Sequence, residues 1–320
     1  MDLVDRILGT KPVESNGHLP DGGLITDPRT IAGARSPWQS VQLARELKRP
    51  HTIEVIDGVF ERFQELHGDR GYRDDPAVVG GIAELEGVGP VVVVGQQRGA
   101  TTEENIARSF GMPYPEGYRK AIRLYRMAEK FHLPLVTFVD TPGAYPGPEA
   151  EERGQAEAIA KAILTMTGLQ TPIVAVILGE GGSGGALALA VGDVVLALQN
   201  AIYSVISPEG AAAILWRSAT EAERAANALK LAAADLVEHG IIDGLIPEPA
   251  NGAHTDPKAT IGAIRAAVTA QLDRLGRVPI ADLLAARYER YRKIGVVVEP
   301  VAGTAPKPSE PFWRRIMRPR

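Results

Sequence analysis

The sequence predicts an α/β protein, and three observations carry that prediction. Between residues 78 and 246, short apolar runs alternate with longer segments of helical periodicity, the pattern of a sheet covered by crossover helices. The run over 173–178 is apolar and mostly β-branched, as a strand buried on both faces requires. It passes through Gly179, Gly181, Gly182, Gly184 and Gly185 into an alanine- and leucine-rich stretch that reads as a helix.

In chain order, residues 1–35 are rich in glycine, proline and polar residues and read as a flexible leader. Ser36-Pro37-Trp38 opens a helix, a capping hydroxyl followed by proline at the first helical position, and Val41, Ala44 and Leu47 follow at helical spacing. A second helix is expected over 52–67, which makes 36–69 an N-terminal helical segment. Strands follow at 78–85 and 91–96, separated by a glycine turn at 86–89. The helix at 115–131 carries Tyr118, Ala121, Ile122, Tyr125 and Ala128 on one face, the spacing of core packing. A strand at 135–139 runs into Asp140-Thr141-Pro142-Gly143-Ala144-Tyr145-Pro146-Gly147. The next helix, 148–169, has Ala156, Ile159, Ala160, Ile163 and Met166 as its inward stripe. Beyond the glycines come strands at 194–198 and 202–206, helices from Pro208, from Thr220 and around Leu231, and a strand at 241–246. These elements define a main domain over 70–250. Amphipathic helices at 256–275 and 280–293 make up a C-terminal segment, 251–298. The tail at 299–320 is basic and proline-rich and is expected to be disordered, since so short a segment cannot bury enough apolar surface to offset its ordering entropy.

Composition narrows the function. The chain of 320 residues is 45% apolar and 23% charged with a net charge of −4, which argues against a bulk nucleic-acid or membrane-surface binder. It has no cysteine, which excludes disulfides, a thiolate nucleophile and a cysteine-based zinc site. Its six histidines are scattered without metal-ligand spacing, so no metal is expected on this chain. No signal peptide and no membrane span is expected, and the expected location is cytoplasmic.

The glycine-rich junction points to an anion. A helix N-terminus leaves unpaired N–H groups at the positive end of the dipole, and so few side chains let another molecule reach the main chain. Gly179-x-Gly181-x-x-Gly184 satisfies a dinucleotide pattern, but the acid expected about 20 positions on is replaced by Gln199, Asn200, Ala201 and Ile202. Glu180 would also repel a pyrophosphate. A P-loop is excluded because Ala186, not lysine, follows Gly185. Gly181-x-Ser183-x-Gly185 matches a nucleophile elbow, with Asp243 and His254 completing the order Ser, Asp, His. A hydroxyl capping the next helix is as natural a role for Ser183. Serine hydrolysis therefore stays open at this point.

A succession of motifs is more specific than any one glycine loop. His67-Gly68-Asp69-Arg70, Asp74-Asp75-Pro76, Val79-Gly80-Gly81-Ile82, Phe110-Gly111-Met112-Pro113 and Pro115-Glu116-Gly117-Tyr118-Arg119-Lys120-Ala121 occur in order. They are followed by the Asp140 to Gly147 stretch, Ala150-Glu151-Glu152-Arg153-Gly154-Gln155, the glycine junction and Tyr203-Ser204-Val205-Ile206-Ser207-Pro208-Glu209-Gly210. From about residue 37 to about residue 291 the chain resembles the alpha subunit of the bacterial acetyl-CoA carboxylase carboxyltransferase.

The resemblance implies a crotonase-like (ClpP/crotonase superfamily) α/β fold with N- and C-terminal helical extensions. It implies transfer of a carboxyl group from carboxybiotin, tethered to a biotin carboxyl carrier protein, to acetyl-CoA, giving malonyl-CoA for fatty-acid synthesis. It implies three partners: a beta subunit bearing a zinc ribbon, in an alpha2-beta2 assembly, the carrier protein, and a biotin carboxylase that uses ATP. The absence of cysteine agrees with zinc residing on the beta subunit. Such chemistry passes through two anions, an enolate and a ureido oxyanion, and needs placed N–H donors and a dry pocket more than a side-chain base. The family's biotin oxyanion hole falls on the N–H groups of Gly184 and Gly185, with Ala186 adjacent. Gly182, Ser183, Gly143, Ala144 and Tyr145 would shape the biotin pocket, and Arg98 and Gly99 would border the coenzyme A channel. The family often has His-Gln-Lys-Gly where this chain reads Gly95-Gln96-Gln97-Arg98-Gly99, so the positive charge is kept and the histidine lost. Nothing in this half fixes acyl length, so another acyl-CoA remains an alternative. Arg119, Arg123, Arg126 and Lys130 form a basic stripe read as a solvated face, with coenzyme A phosphates or an acidic carrier as the functional alternative.

Overall fold

Runs of buried valine, isoleucine and leucine make the centre of the molecule a mixed sheet of eight strands. In this computed structural model residues 22–31 and 35–295 are described; residues 1–21 of the leader and the tail at 299–320 lie outside them. The strands are β1 (Arg62–Glu65), β2 (Val78–Leu85), β3 (Gly89–Gln96), β4 (Leu135–Thr141), β5 (Ile173–Gly182), β6 (Val194–Leu198), β7 (Ile202–Ser204) and β8 (Gly244–Ile246). Their order is β1-β2-β3-β4-β5-β6-β8, with β7 paired to β5. The first three are antiparallel and the rest pair in parallel.

The helices are α1 (Pro37–Ala44), α2 (Thr52–Val59), α3 (Thr102–Ala107), α4 (Pro115–Phe131), α5 (Pro148–Glu152), α6 (Gln155–Gly168), α7 (Ser183–Ala190), α8 (Pro208–Trp216), α9 (Ala222–Leu229), α10 (Ala233–Glu238), α11 (Pro257–Leu275) and α12 (Ile280–Arg292). Parallel neighbours need crossovers, and α4, α6 and α7 supply them between β3, β4, β5 and β6. Among the described residues no helix is long and apolar enough to cross a membrane.

The local signals act as their chemistry requires. Ser36 caps α1: its hydroxyl accepts from the Gln39 amide at 3.2 Å, while the Gln39 side chain accepts from the Ser36 amide at 2.9 Å. All five residues of the α4 stripe are buried.

Several expectations are corrected. The helix expected over 52–67 ends at Val59, and β1 follows it as an edge strand paired with β2. Arg62 and Gln64 are exposed while Phe63 and Glu65 are half-buried, a period of two that the spacing of Val59, Phe60 and Phe63 disguises. The helix expected over 148–169 is two helices, broken at Gly154 with φ +81°. The break resets the helical phase, so α6 turns Gln155, Ala158, Ala162 and Met166 inward and leaves Ala156 and Ala160 exposed. Gln155 fixes that rotation by donating to the carbonyls of Pro113 and Tyr145. Strand β5 continues through Gly182 because Glu180–Gly182 pair with β7, so Gly179, Gly181 and Gly182 belong to a strand and not to a loop. Helix α3 was not expected at all. Of the leader, Ile25 exchanges two backbone hydrogen bonds with Leu245 of β8, both 2.9 Å.

Candidate active site

The site forms at the carboxyl ends of β4 and β5, where open parallel sheets place their ligand crevices. Strand β5 pairs with β6 up to Ile177 and with β7 from Glu180, and the sheet divides around it. At Ser183 the backbone takes φ +53° and turns into α7. The segment after β4 lies directly on that turn. A β-carbon on Gly182 would overlap the Pro142 carbonyl. One on Gly185 would lie 2.5 Å from the Ala144 nitrogen, 2.7 Å from the Gly143 carbonyl carbon and 2.9 Å from the Tyr118 hydroxyl. At Gly184 the nearest atom is Ile159 Cγ2 at 3.5 Å, ordinary contact. The fold thus brings Gly182 to Ala186 together with Gly143 and Ala144. Thr141 shapes this wall, its hydroxyl donating to the Gly143 carbonyl at 2.6 Å and accepting from the Gly143 amide at 3.0 Å. The Tyr145 amide is bonded to Pro113, and its ring stacks on Tyr114 with centroids 4.1 Å apart.

The first turn of α7 offers main-chain donors. First-turn amides have no acceptor inside their own helix. Among the described residues, those of Gly184 and Gly185 donate to no carbonyl or side chain outside it either. Ser183 is exposed, Gly184 half-buried and Gly185 buried, so the turn passes from the surface into the interior at these two amides. Ser183 is not the cap; Gly182 occupies that position.

A buried polar network supports the turn. The register shift between Val139 and Thr141 takes the Asp140 amide off the ladder, and it donates instead to Gln96 Oε1 at 3.2 Å. The other end of Gln96 donates to the Gly185 carbonyl at 2.8 Å, so one side chain ties β4 to α7. Asp140 also meets His51 Nδ1 at 3.2 Å and accepts from the Glu180 amide. Arg98 reaches inward, 3.8 Å from Asp140 and 3.7 Å from Glu180, and Arg45 clamps Glu180 and Glu209. Glu180 is therefore countered by two arginines. Gly99 is tied to α3 through Asn105, its amide donating to Oδ1 at 3.1 Å.

Burial works against the charge on His51, but the Asp140 hydrogen bond and charge hold its pKa above the ordinary 6.5. Burial likewise opposes ionised Asp140, yet His51 and Arg98 hold its carboxyl below the usual range. The contribution of His51 to stability is complete below its unfolded value and is lost as pH rises through its higher folded one. That of Asp140 is present above about 3.9 and is lost as pH falls through its depressed folded value. The urea midpoint is expected to fall as pH rises above about 6.5, and His51→Gln should flatten that slope. An equal slope in the variant would remove His51 as its source.

The hydrolase triad is not assembled. Asp243 accepts from the Val195 amide at 2.7 Å and pairs with Arg290. Val195 registers with Ala175, eight residues before Ser183 on β5, which puts Asp243 roughly 26 Å from Ser183 at about 3.3 Å per residue. The basic stripe also divides. Arg119 binds Asp69 and Glu116, and Arg123 donates to the carbonyls of Leu66, His67 and Gly68, fastening that loop to α4. Arg126 and Lys130 are exposed. Among the described residues no group of three or more His, Asp or Glu is placed to hold a metal ion.

The family model described as acetyl co-enzyme A carboxylase carboxyltransferase-like matches residues 26–295. The acetyl-coenzyme A carboxylase carboxyl transferase subunit alpha of Methylococcus capsulatus is 53% identical over 271 residues, covering 85% of this chain and 84% of that protein. The Thermus thermophilus subunit is 57% identical over 265 residues, covering 83% and 84%. Among solved structures, transcarboxylase 12S with methylmalonyl-coenzyme A superposes with a TM-score of 0.60 at 20% identity, over 83% of this chain and 48% of that one. The beta subunit of Pseudomonas aeruginosa geranyl-CoA carboxylase gives 0.54 at 16% identity, over 86% and 50%. The chain spans about half the length of each of these two structures, and their likeness shows the fold, which is crotonase-like.

Proposed function

This chain belongs to the alpha-subunit family of the acetyl-CoA carboxylase carboxyltransferase, and from that premise we propose that the amides of Gly184 and Gly185 hold the ureido oxygen of biotin as the carboxyl group leaves it. The observation that carries this proposal is the pair of first-turn amides with no acceptor outside α7, next to the exposed Ser183 and braced by residues 142–144. The donor set fits the group: two N–H groups at the positive end of a helix, with the nearby Glu180 charge countered by Arg45 and Arg98. Bound carboxybiotin supplies the activated carboxyl group and a ring nitrogen able to accept the methyl proton of acetyl-CoA. The residues of this chain orient and stabilise. Gly184 and Gly185 donate to the developing negative oxygen, Gln96 holds the turn that aims them, and the Gly143 to Tyr145 wall borders the biotin pocket. An oxyanion donor of this kind is worth about 2.7–4 kcal/mol.

The enzyme is a biotin-dependent carboxyltransferase subunit that works with a beta subunit. The finer assembly belongs to the proposal: zinc and the enolate hole on the beta subunit, two copies of each, biotin delivered by a carrier protein that a biotin carboxylase charges, all in the cytoplasm. Arg98, beside the site, keeps its proposed place at the border of the coenzyme A channel, with Gly99 next to it. Val205, Ile214 and Leu215, 76%, 73% and 63% exposed beside β7 and α8, supply an apolar surface suited to a partner subunit.

Co-expression with a cysteine-rich beta subunit should yield malonyl-CoA from carboxybiotin and acetyl-CoA, and this chain alone should yield none. A reconstituted complex that fails to carboxylate acetyl-CoA sinks the proposal. Because the donors are main-chain groups, Ser183→Ala is expected to keep activity within about tenfold, whereas losing a serine nucleophile costs on the order of 10⁶. Steady-state kinetics on the complex decide between the two.

A further inference from the structure

Tyr118 is fully buried on α4, and its hydroxyl has no hydrogen-bond partner among the described residues. Two turns along the same face, Tyr125 is equally buried, but its hydroxyl donates to the Ala188 carbonyl of α7 at 3.0 Å. Both tyrosines therefore reach from α4 into α7, one satisfied and one not. The Tyr118 oxygen lies 2.9 Å from where a β-carbon on Gly185 would stand, and the Ala144 nitrogen and Gly143 carbonyl carbon are 2.5 and 2.7 Å from the same point. It sits where the biotin wall meets the turn that carries the anion donors. A buried hydroxyl without a partner costs stability that phenylalanine would not. Burial also pushes its pKa well above the usual tyrosine value, so it stays an O–H donor at working pH.

We propose that Tyr118 is a positioning residue for carboxyl transfer: in the loaded site its hydroxyl bonds the 143–144 main chain packed against Gly185, and so fixes the aim of the Gly184 and Gly185 amides. The inference rests on the anion-hole assignment above. It assigns Tyr118 no contact with the reacting atoms.

Tyr118→Phe in the assembled alpha–beta complex tests it. Expected are a fall in kcat of about tenfold, the worth of one net hydrogen bond, KM for both substrates within about twofold, and a Tm equal to or above wild type. Unchanged kcat overturns the proposal, and so does a joint loss of Tm and kcat, the mark of a merely structural tyrosine. Gly182→Ala separates this from the parent assignment. If that variant retains full activity, the anion hole itself is wrong; if it loses activity while Tyr118→Phe does not, only the role of Tyr118 is.

Discussion

Alanine at Gly182 is expected to lower carboxyl transfer by on the order of 10²–10³, the loss seen when one oxyanion donor is removed. The added methyl group would occupy the space of the Pro142 carbonyl, and both sides of the clash are main chain. Neither can rotate away, so the wall at 142–144 or the first turn of α7 must move. A displacement of about 1 Å at a reacting centre is enough to cost about 10² in rate. The price in stability is smaller, about 1–3 kcal/mol for overpacking at a buried position. Gly184→Ala is the comparison for folding: its methyl group meets only Ile159 Cγ2, at 3.5 Å, so its urea midpoint should match wild type. Rate constants on the reconstituted complex, set beside urea midpoints, check both. A Gly182→Ala enzyme turning over at the wild-type rate would falsify the placement of the donors.

Why the site was half legible follows from the same contacts. Both of its main-chain segments stand out in the sequence as glycine and proline runs that end apolar strands, because such runs mark turns in any fold. Their stacking has no local signature: Gly182 and Pro142 meet only because β4 and β5 are parallel neighbours. The supporting side chains are harder still. Gln96 closes a valine-rich strand and could have been noticed as a polar residue in a core position, but its partners lie 44 and 89 residues away. His51 stands just before the helix expected from residue 52, and nothing local marks Asp140, 89 residues on, as its partner. Tyr118 was visible as core, and it is core; what the stripe of α4 could not convey is that its hydroxyl is unpaired. Among the elements, β2 to β6 were legible because burial on both faces demands long apolar runs. The extension of β5 to Gly182 was not, since it depends on pairing with β7 and glycine disfavours strands.

The largest loss of stability is expected at the opposite end of β5, from Arg287→Met. Arg287 is buried on α12, and all five of its donor directions are used. Nε and Nη2 grip the two oxygens of Asp193 at 2.9 and 2.8 Å, Nη1 donates to the carbonyls of Met166 and Leu169 at 2.8 and 2.7 Å, and Nη2 also donates to Thr171 at 2.9 Å. Two of those carbonyls lie at the C-terminal end of α6, where the helix supplies few donors of its own: Met166 accepts only a long bond, 3.3 Å, from the Leu169 amide. Methionine would refill most of the volume but remove the guanidinium from three carbonyls, of which Met166 keeps only the Leu169 amide, and from the Asp193 charge. Asp193 would keep the Ile173 amide, at 2.8 Å. Breaking a buried pair from one side typically costs about 3–5 kcal/mol, and a urea titration should show that loss. A double variant with Asp193→Asn should lose less than the sum of the two single changes, because it removes the stranded charge. Ile173 is nine residues before Gly182 on β5, roughly 30 Å from the anion donors at about 3.3 Å per residue. The surviving folded fraction should therefore transfer carboxyl groups at the wild-type rate. A midpoint shift worth less than about 1 kcal/mol would mean that the network holds α12 in place without stabilising the fold.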